Sequence, residues 1–205
     1  FWKNITQQTK PMKRLSIYVF LLLFTLHTPS QADDIRDFQI EEMSIGDSLL
    51  DYFSEVEIIK EEKTFYPSKK FYVMNIPYVS KSSIYQKVTV SIKNNDIKYK
   101  IYSIGGTIFY ENNIKDCYKK KDKIVKELSE IFKDDVKKTD EGTFILDADS
   151  SGKSTATTVN FIFNSNDFVS IQCKDWSEKM NAYDRLKVSI VLEEYDNFIN
   201  NEVWD

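Results

Sequence analysis

Histidine occurs once in these 205 residues, at His27, and cysteine twice. His27 falls in a segment that the N-terminal pattern marks for removal, so the mature chain is expected to hold no imidazole. A chain without imidazole and with only paired thiols excludes zinc sites of the usual ligand types and lacks the commonest general base. Glycine and proline are also scarce, at 5 and 4 residues. That scarcity, with 41% hydrophobic and 14% aromatic residues, excludes fibrous and low-complexity classes and fits a folded globular protein. The apolar run Leu15 to Leu26 is short of the ~20 residues that a membrane-spanning helix needs. Positive charge is in deficit as well, 28 Lys and Arg against 32 Asp and Glu. Without residues 1–32, which carry Lys3, Lys10, Lys13 and Arg14 and no acid, 24 basic residues face the same 32 acids, a net charge of −8. Such a balance argues against nucleic acid or an anionic membrane as the general partner.

The N-terminus reads as an export signal. Lys13 and Arg14 form a basic start, Leu15 to Leu26 an apolar core, and Ser30-Gln31-Ala32 a small-x-small cleavage site. We expect a Sec signal peptide over residues 12–32, cut after Ala32, with an uncleaved anchor as the alternative. Residues 1–11 precede a plausible initiator, Met12, and read as an upstream translated segment. No cysteine follows the apolar run, so a lipoprotein anchor is not expected. Residues 33–205 are expected to form a single α+β domain, periplasmic or secreted. Two cysteines in an oxidising compartment point to a Cys117–Cys173 disulfide closing about 57 residues, for which loop entropy gives roughly 4 kcal/mol. Two buried free thiols are the alternative.

Apolar periodicity sets the architecture. Ile114, Cys117, Ile124, Leu128, Ile131 and Phe132 recur at helical spacing from Asn113 to Lys133, with lysines between them. Cys173 alternates with Ile171 and Val169 as in a strand. The spacing therefore predicts a long helix packed across one face of a sheet and bonded to it. Before it, Asp47 or Ser48 suits the start of a short helix, and Ser54 with Glu57 a capping box for a second. Phe71 to Ile76 reads as a strand. Ile84 to Lys93 and Ile97 to Tyr102 read as a hairpin around Asn94-Asn95-Asp96, with Gly105-Gly106 as a bulge or bend. After the helix come strands near Thr143 to Leu146, Thr155 to Phe163, Phe168 to Lys174 and Leu186 to Leu192, then a closing helical turn at Tyr195 to Ile199. Strands in runs predict a mainly antiparallel sheet of two meanders.

Gly46-Asp47-Ser48-Leu49 is similar to the GDSL block of the SGNH hydrolases, which implies Ser48 as a nucleophile. That family needs a histidine in an Asp-x-x-His block to take the serine proton, and the mature chain offers none. We expect Asp47 and Ser48 to begin a helix. Asp147, Asp149, Ser151 and Gly152 match early positions of an EF-hand calcium loop, but Thr158 stands where the bidentate Glu belongs. Gly152-Lys153-Ser154 matches the tail of a phosphate-binding loop without its first glycine. Both read as a polar turn, with weak calcium binding left open. Paired carboxylates and a Ser/Lys dyad are available without any spacing that singles one out.

Two surface features suggest contact residues. Lys87, Lys93, Lys98 and Lys100 fall with Tyr85 and Tyr102 on the hairpin side opposite its apolar residues, as a basic aromatic face or an ordinary wet one. Asp175 and Trp176 follow Cys173 into a polar loop, where Trp176 is either a ligand anchor or a lid on the core, and Ser177 caps a short helix. The export signal, Ile45 to Phe53, the helical cysteine, Ser151 to Ser154 and Cys173 to Trp176 together resemble an uncharacterised family of small exported proteins from AT-rich marine bacteria. That resemblance implies a periplasmic location and no known activity. The leading expectation is a non-enzymatic domain that binds a small molecule or envelope component, with no cofactor. An envelope protein-protein interaction module is the alternative, and a carboxylate-based hydrolase ranks third.

Overall fold

A computed structural model describes residues 34–81, 83–111, 113–132 and 136–203. The expected export signal of residues 12–32, the upstream segment 1–11 and the cleavage after Ala32 lie outside the described residues. Among the described residues, eight strands form one antiparallel sheet: β1 (Lys63–Phe65), β2 (Phe71–Asn75), β3 (Lys87–Lys93), β4 (Ile101–Tyr110), β5 (Lys137–Ile145), β6 (Thr155–Ile162), β7 (Phe168–Asp175) and β8 (Asp184–Val191). Their order across the sheet is β1-β2-β3-β4-β8-β7-β6-β5. The helices are few: α1 (Glu55–Lys60), α2 (Ile114–Ile131) between β4 and β5, and α3 (Glu193–Asn201) at the end. The class is α+β, dominated by the sheet.

Alternation along the strands makes the two faces unlike each other. Val88, Val90, Ile104, Val188, Ile190 and Ile171 share one face and pack in a single core with Ile45 and Leu49 of the N-terminal segment and Leu128 of α2. Helix α2 touches β7, β8 and β4. Cys117 of α2 and Cys173 of β7 are bonded, with Cα atoms 6.0 Å apart. The opposite face carries Phe71, Tyr102 and Val191, against which α3 lays Tyr195 and Phe198. Beyond that apolar end the face is polar, because Lys187, Ser189, Ser170 and Gln172 alternate with the core residues.

Several local expectations are corrected. Gly105 and Gly106 make no bend: both lie inside the ten-residue β4, and the register shift falls at Ser91/Ile92. They are glycines because of what lies over them. A Cβ on Gly106 would stand 2.5 Å from the Tyr85 ring, and one on Gly105 2.5 Å from Lys187 Cε. The strand expected from Ile84 begins at Lys87, and Ile97 lies 82% exposed in a widened turn where Asn95 and Tyr99 both have positive φ. The strand expected at Thr143 begins at Lys137, its polar residues having hidden an edge strand exposed along almost its whole length. Strand β1 had no apolar alternation to reveal it.

Candidate functional site

The polar face is built by register. In one ladder row Lys87 stands opposite Thr107, Thr107 opposite Lys187, and Lys187 opposite Gln172. Toward one end, the next row places Arg185 opposite Lys174. Toward the other, Gly105, Ser189 and Ser170 stand side by side, followed by Ser103, Val191 and Phe168. Three layers result: cations, then serines, then apolar groups. A cleft of about 220 Å³ opens over them, walled on the far side by Tyr195, Asp196 and Ile199 of α3.

Electrostatics sets this cleft apart from the rest of the surface. Among the described residues, none of Lys87, Lys174, Arg185 and Lys187 pairs with a carboxylate. Gly105 leaves the space in which the Lys187 side chain lies across β4. Burial pushes the Lys187 ammonium down to about 8, and the charges of Lys174, Arg185 and Lys87 push the same way. Lys174 is lowered by burial and by Arg185, and Arg185 by burial. Asp196 sits at the other wall, where burial pushes its carboxyl up. Burial also carries the Tyr195 phenol far up, so it acts only as a neutral hydroxyl, 2.5 Å from that of Tyr66.

Trp176 closes the cationic end. The Arg185 guanidinium lies 5.2 Å and the Lys174 ammonium 5.9 Å from its ring centroid, distances at which a ring face attracts a cation. Its backbone N–H donates to Asp184 Oδ1 at 2.9 Å. Ser177, next in the chain, donates through its N–H to Ser154 Oγ at 2.9 Å and through its hydroxyl to Asp149 Oδ2 at 2.7 Å. Asp149 is thus the knot of this corner. Its Oδ1 accepts the Ser151 N–H, and its Oδ2 accepts the Ser151 hydroxyl and both donors of Ser154.

These bonds hold the Asp149 carboxyl well below the ordinary carboxylate range, with the Ser151 hydroxyl the largest contribution. A depressed folded-state value means that the stabilisation is present above the unfolded value, near 4, and is lost as pH falls below it. Asp149→Asn puts an amide NH2 against either the Ser151 or the Ser154 N–H, leaving one backbone donor without its acceptor. The expected result is a fall of several degrees in Tm at pH 7 and a shallower loss of Tm on acidification below about pH 4. Thermal melts of both proteins from neutral to acid pH check this; parallel curves would show that Asp149 carries no such linkage.

The residues singled out from the sequence do not all gather here. Trp176 stands at the cationic end of the cleft. Asp175 shares the parity of Cys173 and so faces the core side, where burial and the charge of Asp184 push its carboxyl up. Tyr85 covers Gly106 on that same core side, where burial raises its phenol to about 12. Tyr102 is buried on the opposite face against Phe71, with Lys100 Nζ 5.0 Å from its ring. Lys98 lies in the widened turn, and its carbonyl accepts from Ser48 Oγ at 2.5 Å. Lys93 is neutralised by Glu194 of α3 at 3.0 Å. Of the residues expected on a basic aromatic hairpin face, Lys93 and Lys100 do gather over the Tyr102 ring, at 5.9 Å and 5.0 Å from its centroid, while Tyr85 lies on the core side and Lys98 in the turn; the cations of the cleft region stand on β3, β7 and β8. Arg185, Lys187 and Ser189 alternate with Leu186, Val188 and Ile190, a legible signal of a polar face, but only pairing shows what they face.

The remaining motifs have structural uses. Ser48 accepts from the Leu50 N–H at the start of a 3-10 turn over Leu49–Asp51, and Asp47 accepts from Ser44 N–H and the Tyr52 hydroxyl. The Gly46–Leu49 backbone pairs with residues 99–101. Ser177 precedes a 3-10 turn over Glu178–Met180. Among the described residues, no group of three or more His, Cys, Asp or Glu is placed to hold a metal ion. No family model, curated protein or solved structure matches the chain.

Proposed function

We propose that this protein is an exported, non-enzymatic binding domain that takes a small anionic molecule into the cleft between α3 and strands β4, β7 and β8. One observation carries the reading: Lys187 and Lys174 line the cleft, with Lys87 and Arg185 beside them on the same sheet face, and no carboxylate pairs with any of the four among the described residues. Buried or half-buried charges are normally paired. A cluster that is left unpaired lowers its own charge through mutual repulsion, and an anion relieves that cost on arrival.

Export is supported by the Cys117–Cys173 bridge, which belongs to oxidising compartments, and by the N-terminal pattern. No helix of the described residues is long and apolar enough to cross a membrane. With α2 across the other face of the sheet, the cationic face stays open to a ligand. A second reading, an envelope interaction module, draws on Phe144 and Ile145, exposed on the edge strand β5. The register shift between Asp140 and Thr143 weighs against it, since irregular edges resist pairing.

Native mass spectrometry of protein purified from a periplasmic expression host, followed by the denatured mass of the same sample, tests the proposal. The expected result is a small reproducible mass increment on the native protein that is absent from Lys187→Met. An increment retained by Lys187→Met would place the ligand elsewhere, and a clean multiple of the chain mass would favour the interaction module.

A further inference from the structure

Resting on the reading of the cleft as an anion site, we infer that its ligand is a small polyhydroxylated anion, a phosphorylated sugar or polyol. The phosphate meets Lys187 and Lys174, and the ligand hydroxyls meet the serine row and α3. The layering of the cleft carries this. Ser170 and Ser189 stand beside the cations and Ser103 one row further on, and none of their hydroxyls finds a hydrogen-bond partner among the described residues. Gln172 donates its amide to Thr158 Oγ1 at 2.8 Å and keeps its carbonyl oxygen for a donor from outside. A serine hydroxyl both donates and accepts, as does each hydroxyl of a polyol, so the two sets can satisfy each other in several registers. Asp196 is an acceptor at the far wall, which repels a second anionic group and suits a hydroxyl.

Two simpler ligands fit less well. A bare phosphate would occupy the cationic end and leave the serine row to water in a cleft with room for roughly seven water volumes. An alkyl phosphate would lay methylenes on hydroxyls that then lose their water without gaining a partner. The apolar groups that line the cleft are Phe168, Val191 and Ile199, and the rest of that cluster, with Phe71 and Phe198 buried, fills the space behind them. That lining suits the C–H face of a sugar or a polyol chain and is too short for a hydrocarbon tail.

Calorimetric titration of the full chain separates these cases with inorganic phosphate, hexyl phosphate, glucose, and a panel of glucose 6-phosphate, ribose 5-phosphate and glycerol 3-phosphate. At least one polyol phosphate is expected to bind ~10-fold more tightly than either inorganic or hexyl phosphate, with glucose not binding. Ser170→Ala is expected to lose most of that ~10-fold margin while keeping its affinity for inorganic phosphate, which also shows that the variant is folded. If hexyl phosphate matches or exceeds every polyol phosphate, the hydroxyl-row inference is overturned while the anion site stands. If no phosphate-bearing compound binds, the anion site itself is overturned, and the inference with it.

Discussion

Lys187→Met is expected to stabilise the protein and to abolish anion binding in the same variant. The ammonium of Lys187 has a folded-state value of about 8 against an ordinary value of 10.5, with burial as the leading cause and the charges of Lys174, Arg185 and Lys87 behind it. For a base whose folded value is depressed, folding must oppose protonation. The penalty is fully present below about pH 8 and is relieved as pH rises toward the unfolded value. At neutral pH, removing the charge is expected to gain on the order of 2 kcal/mol, after a discount for the partial exposure of the side chain. Methionine retains the unbranched stem that lies over Gly105. Urea titrations at pH 7 and pH 10 check the result: the variant should be the more stable at pH 7, and the difference should shrink at pH 10. A variant less stable at pH 7 would mean that Lys187 is held by favourable contacts and is not a strained cation.

The same group gives binding a pH dependence. As pH rises through about 8, Lys187 loses its proton, and the cleft loses the charge of one of the two lysines that line it. Asp196 lines the opposite wall of the cleft on α3, where burial pushes its carboxyl up. Anion affinity in the wild type is therefore expected to fall through that range, and a bound anion to raise the Lys187 value and shift the fall upward. A stabilising substitution that removes function is what a site selected for binding at the expense of folding should show.

Removing the Cys117–Cys173 bridge is expected to cost the most of any change in this protein. The two cysteines are 56 residues apart, and closing a loop of that length removes unfolded-state entropy worth about 4 kcal/mol, an upper-end figure. Both are fully buried, so Cys117→Ala with Cys173→Ala also leaves a void where the sulfurs packed. A loss of that size is a large share of the stability of an ordinary domain. The bridge ties α2 to β7, the strand that also presents Gln172 and Lys174 to the cleft, so reduction is expected to weaken anion binding along with the fold. Urea midpoints with and without reductant measure the first effect. Thiol labelling of the denatured, unreduced chain would show that the bridge had never formed.

How much of this was legible depends on which interactions are local. The α2 periodicity, the Ser54–Glu57 capping box, the alternation in β3, β6, β7 and β8 and the even cysteine count are written in short stretches, because each depends on neighbours within a turn or a pleat. The Ser54 N–H indeed donates to Glu57 Oε2 at 2.9 Å. The cleft was not legible. Lys174 and Arg185 are 11 positions apart in the chain and Lys87 is 100 positions from Lys187, yet antiparallel register sets them in adjacent rows. The basic hairpin face was legible only in part for the same reason: Lys93 and Lys100 meet Tyr102, but alternation assigns side chains to a face only while the strand is regular, and the register shift at Ser91/Ile92 breaks the count. Nor could the sequence explain Gly105 and Gly106, whose neighbours Lys187 and Tyr85 belong to other segments.

By itself, then, the sequence determined the α+β class, the long amphipathic helix and the pairing of its two thiols, all of which follow from composition, period and count. The tertiary structure alone decided that β8 pairs with β4 on one side and β7 on the other. That pairing brings Lys87, Lys174, Arg185 and Lys187 onto one face without a carboxylate partner among the described residues, and lays a row of serines beside them. Backbone hydrogen bonds and core burial align the strands by their apolar residues. The polar residues on the other face are carried into register without being chosen for each other's company, which is how like charges come to stand together.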